Sequence, residues 1–119
     1  MEITTANPPP LACLVDAIPR EERAGHRERL RRLFGERMLG RERLRDGYAF
    51  RFHPDDLIDL SRFVANERRC CPFLSFEVQV DPAASEVTLR MTGPAGTQEF
   101  LESELSLQGG YDGQIARGR

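Results

Sequence analysis

The chain contains no lysine; all 17 of its basic residues are arginine. That removes a lysine Schiff base and a phosphate-loop lysine from consideration. Arginine used to this extent fits either a codon bias or a need for bidentate anion recognition. No apolar run approaches the roughly 18 residues of a membrane-spanning helix. No basic segment followed by an apolar one opens the sequence, so no signal peptide is expected. Leu11-Ala12-Cys13 faintly resembles a lipoprotein cleavage box, but Pro8-Pro9-Pro10 stands where the apolar segment would be needed. There is no paired C-x-x-C, no H-E-x-x-H, no Ser/His/Asp spacing and no glycine-rich phosphate loop. Thioredoxin-like, hydrolase and nucleotide-binding readings therefore have no positive support, and no catalytic residue is assigned. The net charge of −2 steers the protein toward neither nucleic acid nor an anionic membrane. Three cysteines without an export signal imply free thiols in a reducing, cytoplasmic compartment.

What is present reads as one α+β domain. Residues 1–10 form a loose leader, 11–107 the domain and 108–119 a glycine-rich, disordered tail. Leu11 to Val15 is a short apolar run, either an edge strand or an extended arm. A helix is expected from Ile18-Pro19, with Asp16 as a possible cap. Leu30, Leu33, Phe34, Met38 and Leu39 form its buried face, and Gly40 stops it. Its surface is expected to carry i,i+4 pairs such as Glu28 with Arg32. Between Arg20 and Arg45 lie ten arginines. They read as a solvated face or as a nucleic-acid stripe, and the interspersed acids favour the first. Gly47 to Phe52 alternates as a strand with Tyr48, Phe50 and Phe52 on one face. A second helix starts near Pro54 and ends at Cys70, because Pro72 pushes Cys71 out of the helical region. Leu74 to Val80 and Val87 to Met91 make a hairpin around Asp81–Ser85. A short last helix carries Phe100, Leu101 and Leu105, capped by Thr97. The order (β)-α-β-α-β-β-α implies two layers: a small antiparallel sheet of three or four strands against two or three helices.

The chemistry concentrates at Glu67-Arg68-Arg69-Cys70-Cys71-Pro72. Thiolates are ligands for soft metals and nucleophiles for redox chemistry. Adjacent cysteines rarely close a disulfide on each other, since the small ring distorts the peptide between them. Two close thiols suit Hg(II). A third from Cys13 suits As(III), and zinc would need His53 or Glu67 as a fourth donor. Against this, free cysteine also packs as a small buried hydrophobe, and the two side chains diverge if Cys71 leaves the helix. Arg68 and Arg69 would lower a thiol pKa, whereas Glu67 and the helix C-terminus would raise it. Glu67 lies on the apolar stripe of the second helix and needs a partner, for which Arg51, Arg68 or Arg90 are candidates. His26, in the charged helix, reads as solvated; His53 either caps the second helix or binds.

The segment Glu67-Arg68-Arg69-Cys70-Cys71-Pro72-Phe73-Leu74-Ser75-Phe76 resembles the E-R-x-C-C-P-F-x-x-F core of a family of small, functionally uncharacterised bacterial proteins. Gly47 to Phe52 matches their G-Y-x-F-x-F strand, and Leu89 to Leu101 their L-x-x-T-G-P-x-G-x-x-x-F-L segment. The resemblance covers most of residues 11–105. Such proteins are sometimes met near mercury- or arsenic-resistance genes, which by analogy implies handling of soft metals. The expected function is therefore a cytosolic protein binding a soft metal or metalloid ion (Zn, Hg or As) through Cys13, Cys70 and Cys71. Glu67, Arg68 and His53 are supporting groups or extra ligands. The alternative is a non-catalytic interaction domain, a homodimer whose cysteines belong to the core.

Overall fold

Gly47–Phe52, whose aromatic residues alternate strictly, is an inner strand of the sheet. The computed structural model describes residues 11–107. The leader and the tail lie outside the described residues. Among the described residues four antiparallel strands, β1 (Gly40–Leu44), β2 (Gly47–Phe52), β3 (Ser75–Asp81) and β4 (Glu86–Thr92), run in the order β1-β2-β4-β3. Three helices, α1 (Arg23–Arg32), α2 (Leu57–Cys70) and α3 (Thr97–Glu104), complete the α+β domain.

Register explains which side is buried. Tyr48, Phe50 and Phe52 of β2 stand opposite Met91, Leu89 and Val87 of β4, and all six side chains are inaccessible. Leu33, Phe34, Leu60, Phe63 and Leu101 from the helical side join them in one core. Phe34 sits at its centre, with ring centroids 5.0, 5.6 and 5.2 Å from those of Phe50, Phe52 and Phe63. Gly47 is required where β2 meets β4, because a Cβ there would run into the Met91 backbone carbonyl.

The first helix is shorter than its periodicity predicts. After Arg32 it widens into one π-type turn, Leu33–Arg37, closed by Met38 N–H donating to Leu33 O at 2.8 Å. Leu39 is then exposed, and its N–H already bonds Arg51 O in the sheet. Gly40 does not merely stop a helix; it opens β1, a strand concealed in the sequence by its charged residues Arg41, Glu42 and Arg43. Charged side chains suit an edge strand, which must resist pairing with other chains. The arginines from Arg20 to Arg45 are thus divided among a 3₁₀ turn, a helix, a wide turn, a strand and the turn that follows it. Many are paired: Arg31 with Glu28 and Glu36, Arg32 with Asp59, Arg37 with Asp56. Glu28 pairs with Arg31, not with Arg32 as the sequence suggested.

Leu11–Leu14 takes the extended-arm alternative and forms no strand; Val15–Ala17 is a single tight turn. Asp16 caps nothing there, and its carboxylate lies 3.7 Å from the Arg23 guanidinium. Thr97 is the first residue of α3 and not its cap. Gly96 holds the cap position at φ 98°, and Thr97 Oγ1 donates to Pro94 O at 2.6 Å.

Candidate metal centre

Helix α2 ends at Cys70, as the proline two residues on requires, and Cys71 leaves it at φ −124°. The last carbonyls of a helix have no partner within it. Here the N-terminal arm supplies one: Leu14 N–H donates to Cys70 O at 2.7 Å. The other end of the arm is held where Leu11 packs against Gly96, tightly enough that a Cβ on that glycine would stand 2.8 Å from Leu11 Cδ1. Cys13 lies between these two anchors and is thereby brought to the end of α2.

The result is a cluster of three sulfurs. Cys13 Sγ is 3.2 Å from Cys70 Sγ, and Cys70 Sγ is 3.5 Å from Cys71 Sγ. The adjacent cysteines do not diverge. Both are fully buried and their sulfurs meet, while Cys13 is exposed. Glu104, near the end of α3, adds a carboxylate oxygen to the group, and all four donor atoms lie within 4.8 Å of one another.

Beneath the sulfurs lies Glu67, also fully buried. Its partner is none of the three arginines considered from the sequence. Arg51 pairs with Glu86, Arg90 with Glu77, and Arg68 is exposed. His26 is the partner instead, with Nε2 2.8 Å from Glu67 Oε1. The same carboxylate accepts from the Cys70 thiol at 3.7 Å and the Cys71 thiol at 3.4 Å. His26 is not solvated. It is 4% exposed and stacks on Phe63 at 5.5 Å. His53 caps the turn before α2, its Nδ1 accepting from Asp55 N–H at 3.0 Å, and it belongs to neither group of gathered donors.

Two residues of this site were missed in the sequence, and each carried a faint signal. His26 extends the stripe of Leu30 and Leu33 back by one turn. Glu104 follows Leu101 by three residues on the buried face of α3. Polar residues at apolar positions of a helical stripe are the mark of a buried polar site.

The electrostatics keep the thiols of Cys13 and Cys71 protonated. Partial burial of its sulfur pushes the Cys13 thiol up to about 12, aided by its hydrogen bond to Cys70 and the negative charge of Glu104. Its hydrogen bond to Cys70, then burial and the charge of Glu67, push Cys71 up as well. Glu104 is pushed up to about 7 by burial, and further by the charge of Glu67 and a hydrogen bond to it. Such a cluster is a poor nucleophile, since the thiolate is the attacking form. A cation placed among these donors would neutralise the charge that burial disfavours.

A cleft of about 350 Å³ opens beside the cluster, lined by Cys13, His26 and Glu104 together with Arg23, Arg27 and Leu30. A larger recess, about 470 Å³, lies between α1 and α2 and carries Arg29, Arg62 and Arg69 but no thiol. Compared with protein families, with curated proteins and with solved structures, the chain finds no match in any of the three.

Proposed function

We propose that this protein binds a soft metal or metalloid ion through Cys13, Cys70 and Cys71, with Glu104 as a fourth donor. The carrying observation is the convergence of three sulfurs and one carboxylate oxygen, from three separate segments, within 4.8 Å. A tetrahedral ion with metal–sulfur bonds of ~2.3 Å spreads its sulfurs to about 3.8 Å. The separations of 3.2 and 3.5 Å are a few tenths short of that. A small outward movement of the exposed Cys13 makes up the difference on its side. Glu67 and His26 hold the buried sulfurs from beneath, as outer groups do for metal ligands. Kinship with the E-R-x-C-C-P-F-x-x-F proteins is part of the same proposal.

Titration of the reduced protein with Hg(II), As(III) and Zn(II) tests it. Binding is expected to release the thiol protons, so affinity rises with pH by about tenfold per unit for each proton released. Cys70→Ser and Cys71→Ser should each weaken binding; unchanged affinity in both would remove the proposal.

A second reading rests on β3. It is an edge strand, and its Val78 and Val80 are 41% and 53% exposed although they sit in register with buried Leu89 and Val87. Helices do not cover the sheet there, and an isologous pairing of two copies along β3 would. Light scattering that shows a monomer at all concentrations would dismiss it.

A further inference from the structure

A bare ion needs no room beyond its ligands, yet the thiol cluster opens into a cleft of about 350 Å³. That is the size of a small organic ligand. Its walls are chemically divided. Val15, Ile18 and Leu30 give an apolar side; Arg23 and Arg27 give a cationic one. Arg23 is largely committed, donating from Nε to Ile18 O at 2.9 Å and from Nη2 to Asp16 O at 3.3 Å, with the Asp16 carboxylate 3.7 Å from its guanidinium. Among the described residues Arg27 has no ion pair, and it stands exposed on α1 one residue after His26. His26 also lines the cleft, is nine-tenths buried, and its Nδ1 has no hydrogen-bond partner among the described residues.

We infer that the metal arrives as its complex with a small carboxylated thiol, and that the cleft holds the organic half of that complex. This rests on the metal-binding reading above and names the form in which the ion is delivered. Arg27, helped by Arg23, takes the carboxylate. The apolar wall takes the methylene stem. The metal is then passed by thiol exchange. Cys13, the exposed member of the trio, forms the first protein sulfur–metal bond. One carrier sulfur–metal bond breaks, and the displaced thiolate leaves with the proton that Cys13 gave up. Cys70, 3.2 Å from Cys13, repeats the exchange and displaces the second carrier thiol. No electrons change hands, and each of these two exchanges releases one free carrier thiol.

The test follows the charge-transfer absorption of the mercury–sulfur bonds in the full chain, in stopped flow. Hg(II) is presented as its bis complex with mercaptopropionate, an anionic carrier, or with cysteamine, a cationic one. The native protein is expected to take the metal from the anionic complex about tenfold faster at low salt. Arg27→Glu should reduce that ratio by about tenfold or more, and Arg27→Gln by an intermediate factor. A native ratio near one, or a ratio untouched by both substitutions, overturns the carrier inference while leaving metal binding in place. Failure to take Hg(II) from either complex and from a weakly buffered solution overturns the metal-binding reading itself.

Discussion

Cys13 Sγ rests 3.2 Å from Cys70 Sγ although 57 positions of chain separate them. The contact is made by backbone as much as by sulfur. The arm that carries Cys13 is pinned by the Leu14 N–H on the carbonyl of Cys70 itself. The trio is therefore a property of the docked arm, and the adjacent pair alone supplies only its buried half.

Thiol labelling should separate those halves. Cys13 is exposed, whereas Cys70 and Cys71 have no accessible surface. Under native conditions an alkylating reagent should modify Cys13 alone, and all three cysteines in denaturant. Because burial and neighbouring groups push the Cys13 thiol up to about 12, its labelling rate should still be climbing well above neutral pH. Peptide mass spectrometry reads both. Rapid native modification of Cys70 would mean that the corner is open.

Leu14→Pro removes the N–H that donates to the last carbonyl of α2. Leu14 is exposed, so the substitution should cost the fold little, about 1 kcal/mol for the lost hydrogen bond. Affinity for Hg(II) should nevertheless fall by roughly tenfold or more, as when a group that orients a ligand is lost. It should approach the affinity of Cys13→Ser. Wild-type affinity in the proline variant would show that the arm is not what positions Cys13.

Glu67 is the acceptor for His26 and for two thiols, all of them buried. Glu67→Leu strands these donors and should destabilise the domain by about 1–3 kcal/mol in urea denaturation. Adding His26→Phe, which removes the stranded imidazole and preserves a ring against Phe63, should recover part of the loss. Strictly additive effects would argue against the pairing.

The pH dependence of stability should bear the mark of Glu104. Its carboxyl is raised from 4.5 to about 7 in the folded protein, chiefly by burial. The folded chain holds that proton more tightly than the unfolded chain does. The resulting stability is fully present below the unfolded value and is lost as pH rises through about 7. The denaturation midpoint of the metal-free protein should therefore fall between about pH 5 and about pH 8. Glu104→Gln, neutral throughout, should flatten that fall and be the more stable protein on the alkaline side. An equally steep decline in the glutamine variant would place the titration elsewhere.

Local patterns were legible wherever one face of an element is apolar and the other polar. Tyr48, Phe50 and Phe52 declared β2. Pro72 declared the end of α2 at Cys70, since a proline has no N–H to continue the ladder. Strand β1 was hidden because an edge strand stabilised by pairing with β2 can be built from Arg41, Glu42 and Arg43, which carry no apolar alternation. His26 looked solvated because its sequence neighbours are charged, and its burial comes from Phe63 on another helix.

From its residues alone the chain determines an α+β sandwich of helices on an antiparallel sheet, with two thiols at a forced helix end. Periodicity, turn chemistry and proline sterics act within a few residues, and so they are written locally. Only the tertiary structure decided that Cys13 joins the pair, that His26 and not an arginine answers Glu67, and that Glu104 completes the donor set. These are contacts between side chains tens of residues apart. They follow from where the helices pack and where the arm docks, and a one-dimensional pattern carries no distance between such points.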